Sequence, residues 1–332
     1  VVSFASNDYL GLTAHPGVIA AAHQALDRWG SGAGSARLIV GSRPVHSELE
    51  AELAAWKEEE KALLFPNGYA ANLSLLTSLG SEDVMICSDE LNHASIIDGC
   101  RMAAAKVAVY PHKDMNALEE LLGGRRRCIV VSDSIFSMDG DAAPIDELNE
   151  LCAAHDALLI LDEAHAVLDP ETTPRDDVER IKVGTLSKFL GAAGGFVAAD
   201  TGFIDLLTNE ARPFIFTTAG TPADAAAGLA ALRIFRSDEG TRLRGRLREL
   251  VDRVAPRNSS PIIPIMAGDE ERALKLSELL LERGYLVPAI RPPSVPAGMA
   301  RLRIALSAAH TDDDVAGLLG ALEELGIGPR DA

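Results

Sequence analysis

Lys188 stands in the segment GTLSKFLGAAGG, one of only seven lysines in the chain and the one set among small residues between two apolar runs. A lysine in such a place either extends its ammonium to water or has a chemical task there. An amine that forms an imine must be neutral and accessible, which partial burial favours. Upstream, an apolar run over 157–161 ends in DEAH, which puts Asp162 and His165 three residues apart just past a buried strand. A buried carboxylate needs a cationic or donor partner, and a protonated pyridine nitrogen is one. The alternative is a carboxylate that caps the next helix. An acid able to hold a proton on a pyridine ring, beside an imine-forming lysine, points to pyridoxal phosphate. DEAH is also a metal-site motif of nucleic-acid helicases, but those need an upstream GxxxxGKS or GxxxxGKT phosphate loop, and this sequence has none.

Other segments offer matching groups. His93, in LNHAS, follows a strand-like run and places an imidazole at the same sheet edge, unless it serves as a cap or a satisfied core residue. In FPNGYAAN, Asn67, Gly68 and Tyr69 open a helix whose backbone donors suit a phosphate. Ser137 lies in SIFSMDGD at the end of a fourth strand, in what is otherwise a plain turn rich in Asp and Gly. Arg291, Arg301 and Arg303 surround RPPSVPAGMARLRIA, and arginine forks suit carboxylates. Exposed surface arginine is the alternative for each.

The elements that must position these groups alternate. Strands are expected at 62–65, 84–87, 106–110, 128–132, 157–161, 181–185 and 196–199, with helices at 70–79, 95–104, 115–122 and 144–155 between most of them. Such alternation predicts a mostly parallel seven-stranded sheet covered on both faces, an α/β fold. The last strand follows a short Gly-rich turn rather than a helix, so it is expected to run antiparallel. Ligands in such sheets bind beyond the carboxyl ends of the strands. Residues 1–35 read as an N-terminal arm with a helix at 15–29, 36–222 as a large cofactor-binding domain, and 223–332 as a smaller α+β domain. GSGAGSARLIVGS (residues 30–42) reads as a glycine-rich loop able to approach a ligand or another chain closely. Helices at 223–236, 241–254, 270–283 and 312–325 and strands at 262–265, 285–287 and 301–305 make up the last part.

The chain of 332 residues is long enough for a large core. Its net charge of -18 argues against general nucleic-acid binding. Four cysteines without metal-like spacing point to buried thiols in a reducing, cytoplasmic setting, and no apolar run reaches membrane-spanning length. No metal site is expected. The start at Val1 suggests that an N-terminal piece is missing, and the connection near APRNSSPIIP reads as short.

Taken together, NDYLGL, GSGAGSARLIVGSRPVHSELE, NHASIIDG, FSMDGD, DEAH, GTLSK and IRPPSVPAGMARLRIALSAAHT resemble the α-oxoamine synthases, fold-type I pyridoxal-phosphate enzymes of the aspartate-aminotransferase-like fold. The tail is most similar to the branch that joins L-alanine to a pimeloyl thioester, on coenzyme A or a carrier protein, in biotin biosynthesis. The resemblance implies that Lys188 anchors the cofactor and moves the α-proton, that Asp162 pairs with the pyridinium nitrogen and that His165 bonds the ring hydroxyl. It implies that His93 stacks over the ring with Ser137 near the hydroxyl edge. Gly68, Tyr69 and Thr185 would hold the phosphate, joined by Thr217 or Thr218 of a second subunit, so a homodimer with shared active sites is implied. Arg303 would take a substrate carboxylate, with Arg291 as second candidate and Asn7 of NDYLGL beside them. Two alternatives stay open: a relative using another acyl donor or glycine, and a silent partner subunit, against which the presence of Lys188 argues. The family's glycine-rich segment after DEAH is replaced by the shorter, acidic AVLDPETTPRDD, and its EG before FSMDGD by Asp133-Ser134.

Overall fold

The computed structural model describes residues 1–124, 127–168 and 177–328. In chain order its elements are β1 (Val2–Ser3), α1 (Pro16–Trp29), α2 (Pro44–Lys57), β2 (Lys61–Phe65), α3 (Gly68–Leu79), β3 (Met85–Asp89), α4 (Ala94–Met102) and β4 (Lys106–Tyr110). Then come α5 (Met115–Leu122), β5 (Cys128–Asp133), α6 (Ile145–His155), β6 (Leu158–Asp162), β7 (Arg180–Thr185), β8 (Gly195–Ala199), α7 (Thr201–Glu210) and α8 (Arg212–Ile215). The last are α9 (Pro222–Phe235), α10 (Asp238–Val254), β9 (Ile262–Gly268), α11 (Glu270–Glu282), β10 (Tyr285–Leu286), β11 (Ala289–Ile290), β12 (Ala300–Ala305) and α12 (Asp312–Glu324).

The seven expected strands form one sheet in the order β2-β8-β7-β6-β5-β3-β4. Pairing is parallel from β7 across to β4, and β8 runs antiparallel to both of its neighbours, as its short connection demands. The central strands are apolar on both faces: Ile86, Val130, Val131, Leu159, Ile160 and Ile181 are fully buried. Each such side chain contributes about 1.5–3 kcal/mol of transfer free energy, which makes the carboxyl edge of the sheet a rigid platform. The glycine that begins β8 is required sterically. A Cβ on Gly195 would lie 2.4 Å from the backbone of Asn67 and Gly68, where the chain turns into α3.

A second, antiparallel sheet orders β11-β12-β9 near the C-terminus. The N-terminal arm is sewn to this part. β1 pairs in parallel with β10, and the amides of Ala305 and Ala308 bond the carbonyls of Phe4 and Tyr9. That seam carries NDYLGL towards the large sheet. Sequence periodicity missed it, because a two-residue strand has no period to detect.

Some elements differ from expectation. The strand expected at 285–287 is β10, which pairs with β1, and a further short strand that was not foreseen, β11, pairs with β12. Pro144 is the N-cap of α6 rather than a residue of its first turn. Residues 37–41 of the glycine-rich stretch form one wide helical turn. α7 and α8 were not foreseen, although Phe203, Ile204 and Leu207 have helical spacing. Residues 169–176 of the acidic segment after DEAH lie outside the described residues.

One cluster away from the cofactor-type residues predicts a pH effect. His112 bonds Asp89 through Nδ1 and Asp141 through Nε2, both at 3.0 Å, with Lys113 also on Asp141. Burial lowers the affinity of this imidazole for its proton, but the two carboxylates outweigh it and raise the pKa from 6.5 to about 9. A raised folded-state pKa means stability that is full below pH 6.5 and gone above about 9. Thermal melts at pH 6 and pH 9.5 should therefore show a drop in Tm of a few degrees that His112→Gln lacks. An equal drop in the variant would refute the assignment.

Candidate active site

Strand register brings the chemistry together. Asp133 and Asp162 end adjacent strands β5 and β6 and face each other in register, while Thr185 ends β7 on the far side of β6, with Lys188 three residues beyond. On the other side of β5, β3 leads to His93, which caps α4 by accepting the Ser95 amide hydrogen at Nδ1. Gly68 opens α3 behind its N-cap Asn67. These residues line one cavity of about 180 Å³, together with Tyr69, Ser137 and His165.

The buried polar groups are specifically tied. Asp162 Oδ2 accepts from Asn72 Nδ2 at 2.6 Å, and Oδ1 from the Ala164 amide at 2.9 Å. Asn72 Nδ2 also reaches Ser95 Oγ at 2.9 Å. His165 Nδ1 lies 2.7 Å from the Tyr9 hydroxyl. Asp133 accepts the His93 amide, and its own amide bonds Asn92 Oδ1. Thr185 Oγ1 contacts Ser187 Oγ at 2.7 Å beside the α3 N-terminus, and the Tyr69 hydroxyl reaches Asp98 at 2.5 Å.

Electrostatics follow from burial. Burial disfavours the Lys188 ammonium and lowers its pKa, against the pull of Asp162 and Asp133. Burial likewise lowers His93 and, more strongly, His165, where Lys188 and Arg303 add to the effect. Asp133 is pushed well up by burial and by the nearby Asp162. The cavity thus holds an amine and two imidazoles biased towards their neutral forms, and one carboxyl group biased towards its protonated form.

Arg301 and Arg303 are two apart on β12 and so share a face. Both are buried against the Ser137–Gly140 turn. Arg303 Nε donates to the Ser137 carbonyl at 2.6 Å and Nη2 to Asn7 Oδ1 at 3.2 Å. Arg301 pairs with Asp139, which makes it a brace of the turn. Arg291 is exposed and is not on the cavity wall. Thr217 and Thr218 line a separate depression with Arg37 and His46.

Lys188, Asp162, His165, His93, Ser137, Gly68, Tyr69 and Thr185 are therefore brought together, with Asn7 and Arg303 joined to them through Tyr9 and Ser137. Sequence reading missed Asn72 and Tyr9 as site residues and read Asp133 only as a departure from a motif. Asn72 carried a signal: it lies four residues after Gly68, a polar side chain on a helix whose inner face is otherwise built of small and apolar residues.

Residues 1–322 match the family model described as aminotransferase class I and II. The chain belongs to the aminotransferase class I and II family. Within that family it is 46% identical over 335 residues to the 8-amino-7-oxononanoate synthase of Methylobacterium sp. (strain 4-46), covering 98% of this chain and 87% of the relative. It is 48% identical over 340 residues to the enzyme of that name from Anaeromyxobacter dehalogenans (strain 2CP-1 / ATCC BAA-258), covering 97% and 85%. Among solved structures, a serine palmitoyltransferase variant from S. paucimobilis with a bound PLP–myriocin aldimine superposes with a TM-score of 0.93 at 28% identity, covering 98% of this chain and 87% of that one. The 8-amino-7-oxononanoate synthase of Francisella tularensis superposes with a TM-score of 0.81 at 26% identity, covering 98% of both chains.

Proposed function

We propose that this chain is a pyridoxal-phosphate-dependent acyltransferase that condenses L-alanine with a pimeloyl thioester, releasing CO2 and free thiol and forming 8-amino-7-oxononanoate for biotin biosynthesis. The observation that carries this reading is the convergence of Lys188, Asp162, His93 and His165 on one cavity, with Arg303 at its border. The two curated relatives that bear the synthase name support it over a glycine-using or other-acyl relative.

The residues fit the cofactor by their chemistry. Asp162 is a buried carboxylate whose two oxygens accept from neutral donors, Asn72 and the Ala164 amide, as a group meant to face a pyridinium would. The α3 N-terminus with Thr185 offers donors for a phosphate, and His93 offers a flat ring. Pyridoxal phosphate, once bound, supplies an electron sink for negative charge developing on the amino-acid α-carbon. Asp162 would hold a proton on the pyridine nitrogen, and His165 and Ser137 would attend the ring hydroxyl. Lys188, whose ammonium form burial disfavours, would anchor the cofactor and carry the α-proton to and fro. Arg303 receives a carboxylate, with Asn7 orienting its guanidinium. Replacing Arg303 by Lys should raise KM for the amino acid about tenfold or more, because a point charge cannot reproduce the fork. A KM within twofold of wild type would remove Arg303 from the carboxylate site.

The proposal extends to a homodimer. Leu38, Ile39 and Val40 of the wide turn and Phe216 are exposed, Ile39 at 74% and Phe216 at 71%. The Ala219 amide bonds the Ser35 carbonyl, so the two segments that carry these exposed apolar side chains are tied together near Thr217 and Thr218. Pairing through those segments would deliver the two threonine hydroxyls to the partner's phosphate site. All four cysteines are buried thiols, which supports a reducing, cytoplasmic setting. No helix among the described residues is long and apolar enough to cross a membrane. Thiol release measured across acyl-CoA chain lengths with alanine, glycine and serine tests the substrate assignment. Equal or faster turnover with glycine and acetyl-CoA would overturn it.

A further inference from the structure

We propose that Tyr9 is a positioning residue that fixes the tautomer of His165, so that Nε2 presents an N–H to the cavity. The Tyr9 side chain is fully buried, with its hydroxyl 2.7 Å from His165 Nδ1 and 3.1 Å from Asn7 Oδ1. A phenol has one proton and donates only one of these bonds. Were it given to Asn7, His165 would have to donate from Nδ1 and turn a bare lone pair at Nε2 to the cavity. Given to His165, it makes Nδ1 the acceptor and leaves the ring hydrogen on Nε2.

The surroundings select the second arrangement. The contact to His165 is the shorter of the two. Asn7 Oδ1 already accepts from Arg303 Nη2 at 3.2 Å, so it is satisfied without the phenol. Burial raises Tyr9 to about 12 despite the opposing Arg303 charge, and burial lowers His165 well below the usual imidazole range. The pair is therefore a protonated phenol and a neutral imidazole, the state in which the tautomer is a real choice. An N–H at Nε2 recognises an acceptor oxygen. Under the function proposed above, on which this role rests, that oxygen is the hydroxyl oxygen of the cofactor ring in its ionised form.

The tautomer is measurable in the apoprotein by nitrogen-15 NMR of labelled histidine, with His165→Gln identifying the resonances. Wild type is expected to show an acceptor-type Nδ1 and a protonated Nε2, and Tyr9→Phe a substantial population of the reverse. In the cofactor-loaded protein, Tyr9→Phe should shift the pH midpoint of the visible absorption change and lower kcat about five- to tenfold, with KM for the amino acid within about twofold. A protonated Nδ1 in wild type overturns the proposal, and so does a Tyr9→Phe variant whose nitrogen shifts and pH profile match wild type. Should Tyr9→Phe fail to fold, the wild-type spectrum alone decides. A wild-type protein that binds no pyridoxal phosphate overturns instead the function on which the donor role rests, and it is told apart because the tautomer is read without cofactor.

Discussion

Lys188→Ala is expected to lower turnover on the order of 10⁴-fold or more and to abolish the visible absorption band of the protein with pyridoxal phosphate. In the proposed function two roles fall to one atom, anchor and proton carrier, so no neighbour is expected to replace it. His93 and His165 line the same cavity but are tied by their Nδ1 atoms to Ser95 and Tyr9, and Asp133 is held by the His93 amide. The variant should nevertheless fold as well as wild type or better. Burial disfavours the Lys188 charge, so removing the amine relieves a cost rather than breaking a bond. The decisive measurements are the absorption spectrum, single-turnover thiol release and a thermal melt. Residual activity above about one per cent would place the essential amine elsewhere.

Asp162→Asn is expected to lower kcat on the order of 10²- to 10³-fold while preserving the shape of the cavity. In the proposed function the carboxylate would supply a negative charge beside the ring nitrogen, and an amide cannot. Local geometry makes the change worse. Asp162 receives one hydrogen from Asn72 and another from the Ala164 amide, one on each oxygen. An asparagine has a single carbonyl oxygen, so its amide group must face one of those donors, leaving two donors opposed. Asp162→Glu keeps the charge and should recover part of the rate. Asn72→Ala tests the same contact from the other side, with weakened cofactor binding as its readout. Near-wild-type kcat in Asp162→Asn would mean that the ring nitrogen is not protonated during turnover.

Much of this site was legible because each of its main groups follows a strand that announces itself. The runs before Asp162 and Thr185 are buried on both faces, and a polar residue at the end of such a run stands out against them. The parallel sheet then aligns strand ends that are far apart in sequence. Tyr9 was less visible. It reaches His165 only because β1 joins β10 and backbone bonds from Ala305 and Ala308 hold the arm in place. These are pairings of a few residues, carried by no periodicity. Asp133 is a similar case: its identity was plain, but its pairing in register with Asp162 depends on how β5 and β6 align. Arg301 and Arg303 looked alike in sequence and lie on one face of β12. Their roles separate only through their partners, Asp139 for one and Ser137 with Asn7 for the other.

The turn from Ser137 to Gly140 is held to the C-terminal sheet at successive points. Arg303 grips the Ser137 carbonyl, Arg301 grips Asp139, and the Ser260 hydroxyl donates to the Gly140 carbonyl at 2.7 Å. Gly140 adopts φ +72°, and a Cβ there would collide with the Ile262 carbonyl at 2.1 Å, so the contact leaves no room for a linker. A mechanical corollary follows: the C-terminal sheet cannot tilt towards or away from the strand ends without towing Ser137 along. Any breathing of one against the other would move the Arg303 guanidinium, proposed to take a carboxylate, and the Ser137 wall of the cavity in a single stroke.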